Sequence, residues 1–452
     1  EVFLGFDLES AKVEASRCIQ CPTAPCQQAC PVGNDIPGAF KLLEIGDING
    51  AAEKFRETSN LPELCGRLCP QERLCEGECV VAFAIRPDSH QEPPVSIGKL
   101  EAFAADYQRE HHGIPLPVLP APTGFRVAVV GAGPAGLAVA EELAKLGHDC
   151  TMYDAWPEPG GVLLYGIPNF KLSKAVLQGK LDYMDKLGVK FVGNTWVGKD
   201  VTVDQLFEQG FDAVFVGTGA GLGGKLAIPG EENAGIYSAT EFLVRGNLRP
   251  DQLPEHMREE IDVEGKNVVV IGGGDTSMDC VRTAIRLGAA KVVCVYRRTE
   301  LEMLGRTEER DHARQEGVDF QFLTIPLRFI AENGHVTGLE CQRMALGEPD
   351  ESGRRRPVPI PHSEFVLPAD CVPIAIGYNV DPIIKDAAPG VATNRWNLVE
   401  VDRETHATTR PGVFAGGDNV NGADLVVTAL ADGRRAATAI HGYLETLPPK
   451  RR

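Results

Sequence analysis

Two glycine-rich turns, each set between a β-branched run and a helical pattern, restrict this chain more than any other feature. Phe125-Arg-Val-Ala-Val-Val leads into Gly131-Ala-Gly-Pro-Ala-Gly, then an Ala/Leu-rich helical stretch, then a second strand-like run from Asp149. Lys266-Asn-Val-Val-Val-Ile leads in the same way into Gly272-Gly-Gly-Asp-Thr-Ser, a helical stretch and the run Lys291-Val-Val-Cys-Val. A strand–helix–strand unit demands a crossover connection and a parallel sheet. In the G-x-G-x-x-G pattern the first glycine makes the tight turn. The second lets backbone approach a pyrophosphate, and the third lets helix and strand pack closely. The helix after the turn directs its free N–H groups and positive dipole end toward the phosphates. In the second turn Ser277 stands where the packing glycine is expected. The fold class is therefore α/β, with two Rossmann-like dinucleotide-binding domains.

The residues downstream of each turn separate the two nucleotides. Asp154, at the end of the second strand of the first unit, is placed to hold a ribose hydroxyl. The same place in the second unit carries Tyr296-Arg297-Arg298. Two guanidinium groups there suit a 2′-phosphate, which favours NADP(H) over NAD(H), with a plain pair of surface arginines as the alternative. Two dinucleotide sites in one chain point to a flavin and a nicotinamide exchanging hydride. Near the carboxy terminus, Val413-Phe-Ala-Gly-Gly-Asp is a strand-like run before a helix, which puts Gly417 and Asp418 beside the flavin and its ribityl chain. Hydride transfer needs no general base, so no residue is assigned a catalytic role.

The chain has 13 cysteines, and eight crowd between Cys18 and Cys79. Cys18, Cys21, Cys26 and Cys30 form C-x₂-C-x₄-C-x₃-C-P, close to a bacterial ferredoxin run. Cys65, Cys69, Cys75 and Cys79 complete the eight. Structural zinc would account for four-cysteine sets by count alone, and a disulfide framework would need secretion. Zinc has no redox chemistry, whereas an iron–sulfur centre turns a hydride's electron pair into single steps. No C-x₂-C or C-x₄-C pair occurs after residue 80, so a redox disulfide is not the exit for electrons. Cys150, Cys280, Cys294, Cys341 and Cys371 read as small buried hydrophobes.

The expected organisation is a helical iron–sulfur domain at 1–112, a Pro-rich linker at 113–124, and a discontinuous FAD-binding domain at 123–224 and 375–452. An NAD(P)H-binding domain at 225–374 is inserted into it. Gly347-Glu-Pro-Asp-Glu-Ser-Gly-Arg-Arg-Arg-Pro-Val-Pro reads as a solvated loop within the insert. A formal charge of −18 argues against nucleic-acid and anionic-membrane partners. No apolar run is long enough to cross a bilayer, and the first residues lack the pattern of a secretory signal, so a cytoplasmic protein is expected. The missing initiator Met suggests that residues were removed ahead of Glu1.

These strings together resemble one family. Arg17-Cys-Ile-Gln-Cys-Pro-Thr-Ala-Pro-Cys, Leu61-Pro-Glu-Leu-Cys-Gly-Arg-Leu-Cys-Pro, Val95-Ser-Ile-Gly-Lys-Leu-Glu, Glu158-Pro-Gly-Gly-Val-Leu-Leu-Tyr-Gly-Ile-Pro and Val413-Phe-Ala-Gly-Gly-Asp-Asn carry the likeness, with both glycine-rich turns. The chain is similar to the small (β) subunit of NADPH-dependent glutamate synthase. The same family includes the large subunit of the bifurcating NADH-dependent ferredoxin:NADP oxidoreductase and the amino-terminal half of dihydropyrimidine dehydrogenase. The resemblance implies FAD, NADP(H) and two [4Fe–4S] clusters held by the helical domain. One cluster would take Cys18, Cys21, Cys26 and Cys79. The other would take Cys30, Cys69, Cys75 and Glu101, leaving Cys65 over; a surface helical glutamate is the alternative for Glu101. The implied FAD contacts are Gly131, Gly133, Pro134, Ala135, Asp154, Gly161, Lys171, Gly417 and Asp418. Those for NADP(H) are Gly273, Gly274, Asp275, Thr276, Arg297 and Arg298. Met303-Leu304 departs from the Met-Pro of relatives and lacks the further Arg of dihydropyrimidine dehydrogenase, which leaves Arg306 as the candidate third phosphate contact.

The implied activity is electron input. Hydride passes from NADPH to FAD, and single electrons then pass through the clusters to a larger catalytic subunit, foremost that of glutamate synthase. A bifurcating enzyme with ferredoxin as a partner, or the reductase part of another complex such as dihydropyrimidine dehydrogenase, is the alternative within the family. A zinc-stabilised adaptor without catalysis is the alternative outside it.

Overall fold

A repeated Asp-Ile-x-Gly organises the amino-terminal helices. Asp35 accepts from Gly38 N–H at 3.0 Å and caps the helix Ile36–Glu44; Asp47 accepts from Gly50 N–H at 2.9 Å and caps Ile48–Arg56. A side chain at either glycine would collide with the capping carboxylate. Apolar residues then recur at i, i+3, i+4 and i+7. Ile36, Ala39, Phe40 and Leu43 face Ile48, Ala51, Ala52 and Phe55, with Leu100 and Ala104 of the helix Ile97–His111 in the same core. Phe40 and Phe55 meet edge to face, ring centres 6.4 Å apart.

The computed structural model describes residues 4–84, 92–351 and 353–450. The chain divides into two units: Glu1–Leu164, Asn169–Ala220 and Val380–Arg452 form the first, Tyr165–Pro168 and Gly221–Asn379 the second. The insert therefore parts from its host a few residues outside 225–374. Leu222–Gly223 and Tyr378–Asn379 pair with each other and stay with the second unit.

In the first unit a five-stranded parallel sheet runs in the order Val413–Ala415, Ala213–Val216, Arg126–Val130, Asp149–Tyr153, Lys190–Val192. Val127 to Val130 are all buried, as a sheet covered on both faces requires. The stretch 113–124 contains no helix or strand. The helical segment nevertheless belongs to the same unit as this sheet. Asn60 donates to Glu142 at 2.6 Å, and Arg434 donates to Asn60 Oδ1 at 2.9 Å and to the Glu57 carbonyl at 3.0 Å.

Under that junction Lys180 and Glu141 form a fully buried ion pair, with Lys145 2.7 Å from the same carboxylate. Burial pushes the Glu141 carboxyl up, but Lys180 and Lys145 outweigh it and hold the group down to about 2. Removing one partner of a buried pair leaves an uncompensated charge, so Lys180→Met should cost about 3 kcal/mol in denaturant unfolding. A loss under about 1 kcal/mol would show that Lys145 alone satisfies the carboxylate.

The second unit has its own parallel sheet, ordered Ile236–Ser238, Val372–Ile374, Asn267–Ile271, Lys291–Val295, Asp319–Gln321. Beside it lies an antiparallel meander, Thr324–Glu332, His335–Pro349 and Arg355–Pro368. The loop expected over 347–359 is only partly one: strands run in to Pro349 and out from Arg355, and Gly353 N–H donates to the Asp350 carbonyl at 2.9 Å. Pro357 and Pro359 pair opposite Leu346 and Met344 on an edge strand. Two residues apart, they lack their N–H on the same edge, which leaves the ladder to the neighbouring strand intact.

Candidate functional site

The first glycine-rich turn is held from both sides. Gly131 has φ +98° and donates to the Tyr153 carbonyl at 2.8 Å, and a Cβ there would run into the Gly217 carbonyl. A Cβ at Gly136 would strike the Gly131 carbonyl. Gly133 is different: a Cβ there would meet only the Gly161 Cα, 4.0 Å away. In the second turn Gly272 donates to the Val295 carbonyl at 3.0 Å, and a Cβ at Gly274 would meet nothing within 4 Å. In each turn the first glycine is packed and the second borders open space, the cradle that a backbone lying against a pyrophosphate requires. Ser277 fits in place of a glycine because its hydroxyl, fully buried, donates to the Ala375 carbonyl at 3.3 Å.

Around the first turn the structure gathers most of the expected flavin residues. Pro134 and Ala135 open the helix Pro134–Lys145 behind Gly133. Asp154 accepts from Ala132 N–H at 2.7 Å and Trp156 N–H at 3.0 Å, while burial raises its carboxyl. A Cβ at Gly161 would come 2.8 Å from the Gly133 Cα. Gly417, at φ +80°, lies so close that a Cβ on it would stand 3.1 Å from the Ala135 Cβ. Lys171 is half-buried in the turn before the helix Lys174–Lys186.

Asp432 carries no motif that would single it out in the sequence, yet it anchors this end. Its carboxylate accepts from Gly417 N–H at 3.0 Å, Asn421 Nδ2 at 2.6 Å and Arg435 at 2.5 Å. An aspartate inside the Ala-rich helix Val426–Glu445 was the available signal, because a buried acid needs partners.

Burial, with Asp424 and Asp432 adding repulsion, pushes Asp418 up to about 7. A folded-state value above the ordinary one means the folded protein favours the protonated acid. Flavin-free protein should lose stability as pH rises from about 4 through 7, by about 4 kcal/mol at most. Asp418→Asn should flatten that slope in thermal unfolding between pH 5 and 8; an unchanged slope would place the proton elsewhere.

Around the second turn, Gly274, Asp275 and Thr276 form the half-buried start of the helix Asp275–Arg286. Tyr296 lies flat on Gly273, where a Cβ would sit 2.5 Å from the ring, and its hydroxyl donates to the Glu302 carbonyl at 2.7 Å. The segment after Met303 folds over the turn. Leu304 and Gly305 donate to the Gly273 carbonyl, and Arg306 N–H donates to Asp275 at 2.9 Å. Arg297 is exposed and, among the described residues, makes no hydrogen bond or ion pair. Arg298 is 4% exposed and bonded to the meander, to Asp350 at 2.6 Å and to the Arg355 carbonyl at 2.7 Å.

The eight clustered thiols fall into two sets. Cys18, Cys21, Cys26 and Cys79 line one cleft together with Ile36, Phe40 and Val81. Burial, Cys18 and Cys79 push Cys26 up to about 11. The second set gathers where two helices nearly touch: a Cβ at Gly66 of Pro62–Leu68 would lie 2.5 Å from the Gly98 carbonyl of Ile97–His111. That approach brings Cys65 and Cys69 toward Glu101. Cys65 raises the Cys69 thiol, burial raises Cys75 with Glu76, Glu101 and Cys30 adding to it, and burial pushes Cys30 up to about 11. Glu101 is buried, raised by that burial and by Cys65, and accepts from Asn34 Nδ2 at 3.1 Å. Buried thiols and a buried carboxyl that raise one another make a donor set suited to a cationic centre. Among the described residues no three Cys, His, Asp or Glu side chains converge as ligands of one metal ion. The other five cysteines are buried, as free thiols.

Comparison with known proteins agrees with this division. Residues 1–113 match the family described as dihydropyrimidine dehydrogenase domain II, 4Fe-4S cluster. Residues 125–433 match pyridine nucleotide-disulphide oxidoreductase. The glutamate synthase [NADPH] small chain of Escherichia coli K12 is 41% identical over 450 residues, 98% of this chain and 94% of that protein. The NADP(+)-dependent formate dehydrogenase subunit beta of Moorella thermoacetica is 39% identical, over 93% of this chain and 60% of its own length. In fold, the chain is similar to FprA of Mycobacterium tuberculosis in complex with NADPH, with a TM-score of 0.60 and 21% identity over 71% of this chain and 84% of that one. No helix among the described residues is long and apolar enough to cross a membrane. The chain belongs to the glutamate synthase small-chain family, in which a 4Fe-4S domain precedes a pyridine nucleotide-disulphide oxidoreductase fold.

Proposed function

We propose that this chain is the electron-input subunit of a larger oxidoreductase, accepting hydride from NADPH and delivering single electrons to a partner polypeptide. The observation that carries this reading is the pairing, in one unit, of an open glycine-rich cradle with two separate sets of free thiols. With FAD and two [4Fe–4S] clusters bound, the cofactors supply the conversion of one hydride into two single-electron transfers.

The chain's own residues bind and orient. Gly131, Gly133 and Gly161 keep side chains away from the flavin pyrophosphate, and Asp154 stands at the adenosine ribose. Asp432 holds the Gly417 N–H, and with it the turn carrying Asp418. Gly273, Gly274, Asp275 and Thr276 receive the NADPH pyrophosphate at a helix amino terminus. Cys18, Cys21, Cys26 and Cys79 hold one cluster; Cys30, Cys69, Cys75 and Glu101 hold the other.

The partner is a larger catalytic subunit, the glutamate synthase large subunit first among the candidates, and the complex is cytoplasmic. Names of relatives such as the glutamate synthase [NADPH] small chain and the formate dehydrogenase subunit beta support a multi-subunit setting. Co-purification from the native host under anaerobic conditions, with identification of the companion polypeptide, tests this. A glutamate synthase large subunit is the expected companion, and a formate dehydrogenase or ferredoxin-linked subunit would overturn that assignment. The isolated chain should also reduce a one-electron dye with NADPH and make no glutamate from glutamine and 2-oxoglutarate.

A further inference from the structure

The adjacent arginines after the strand Lys291–Val295 do not share an environment. The Tyr296 and Arg298 carbonyls accept from Thr324 and Leu323 N–H at 3.1 and 3.0 Å, which fixes the bend that follows the strand end. Across that bend Arg297 is exposed and Arg298 is buried. Arg298 turns inward, and two prongs of its guanidinium are spent on Asp350 and on the Arg355 carbonyl. Both partners belong to the hairpin between His335–Pro349 and Arg355–Pro368. Withdrawing Arg298 toward a ligand would break both contacts of a buried guanidinium, a costly exchange. Arg297 turns outward with nothing to exchange.

We propose that Arg297 alone of this pair reads the 2′-phosphate, and that Arg298 is a positioning residue that clamps the hairpin turn at Asp350 to the end of the nucleotide-binding strand. The inference rests on the NADPH reading above and deepens it. The hairpin lies more than fifty residues downstream in sequence; the clamp restricts the backbone on which Arg297 is carried.

The test uses holoenzyme with intact flavin and iron, titrated by calorimetry with 2′,5′-ADP and, as the probe lacking the 2′-phosphate, 5′-AMP. Arg297→Ala should weaken 2′,5′-ADP by about 10- to 100-fold, the range of a lost charge-assisted contact, and leave 5′-AMP unchanged. Arg298→Met and Asp350→Ala should each weaken 2′,5′-ADP by about threefold. Their double variant should be no weaker than either single one, because both remove the same contact. In steady state each should raise KM for NADPH and leave kcat unchanged, an asymmetry that general loosening of the fold would not give. Arg298→Met as damaging as Arg297→Ala, with Asp350→Ala silent, would overturn the proposal while leaving the NADPH reading standing. Wild-type protein that binds 2′,5′-ADP no more tightly than 5′-AMP would overturn both.

Discussion

Anaerobically purified Cys26→Ala protein should carry about half the iron and sulfide of the wild type and a full complement of flavin. Its thiol lines a cleft with Cys18, Cys21 and Cys79, and none of the second set of thiols lines it. A cubane needs a ligand on each iron, so losing one thiolate from that set removes or degrades one cluster and spares the other. Flavin reduction by NADPH in stopped flow should persist, while electron delivery to the native partner should fall by a hundredfold or more. Cys75→Ala should behave alike through the other set. Glu101→Ala and Cys65→Ala then separate two readings of the fourth ligand. Both side chains are buried in the same place, and Cys65 interacts directly with Cys69. Iron loss in Glu101→Ala with full iron in Cys65→Ala is expected; the reverse pattern would make the thiol the ligand and the carboxylate its neighbour.

Gly131→Ala should yield protein without flavin. The added methyl group faces the Gly217 carbonyl with no room to shift, and φ of +98° is a conformation that an L side chain strongly resists. The strand and helix on either side carry the pyrophosphate cradle, so a small displacement there removes the site. Absorbance near 450 nm attributable to flavin should vanish, and NADPH-dependent dye reduction should drop at least a hundredfold. Iron should stay near wild-type levels, because the thiols belong to a separate segment of the chain, 18–79. Flavin retained within about twofold would show that the dinucleotide is bound elsewhere.

Features that rest on short-range backbone geometry were legible in the sequence. The glycine pattern fixes a turn within six residues, so Gly131, Gly133, Gly272 and Gly274 could be assigned without any tertiary knowledge. The spacing of Cys18, Cys21, Cys26 and Cys30 likewise limits what those thiols can wrap. Features that depend on which way a side chain faces were not legible. Arg297 and Arg298 are neighbours of identical chemistry, and only the bend after Val295 leaves one exposed and sets the other against Asp350. Pro357 and Pro359 read as breakers of regular structure, although an edge strand tolerates them at alternate positions. The attachment of the helical segment to the first unit rests on Asn60, Glu142 and Arg434, three residues scattered along the chain. No local pattern could have joined them.

The most direct test counts cofactors and electrons on the same anaerobic sample. About one FAD, eight iron and eight acid-labile sulfide per chain are expected, with an uptake of about four electrons on full reduction. NADPH alone should bleach the flavin and bring up the paramagnetic signal of a reduced iron–sulfur centre. Colourless protein, zinc in place of iron, or a flavin that NADPH reduces while no iron is bound would contradict the electron-input reading.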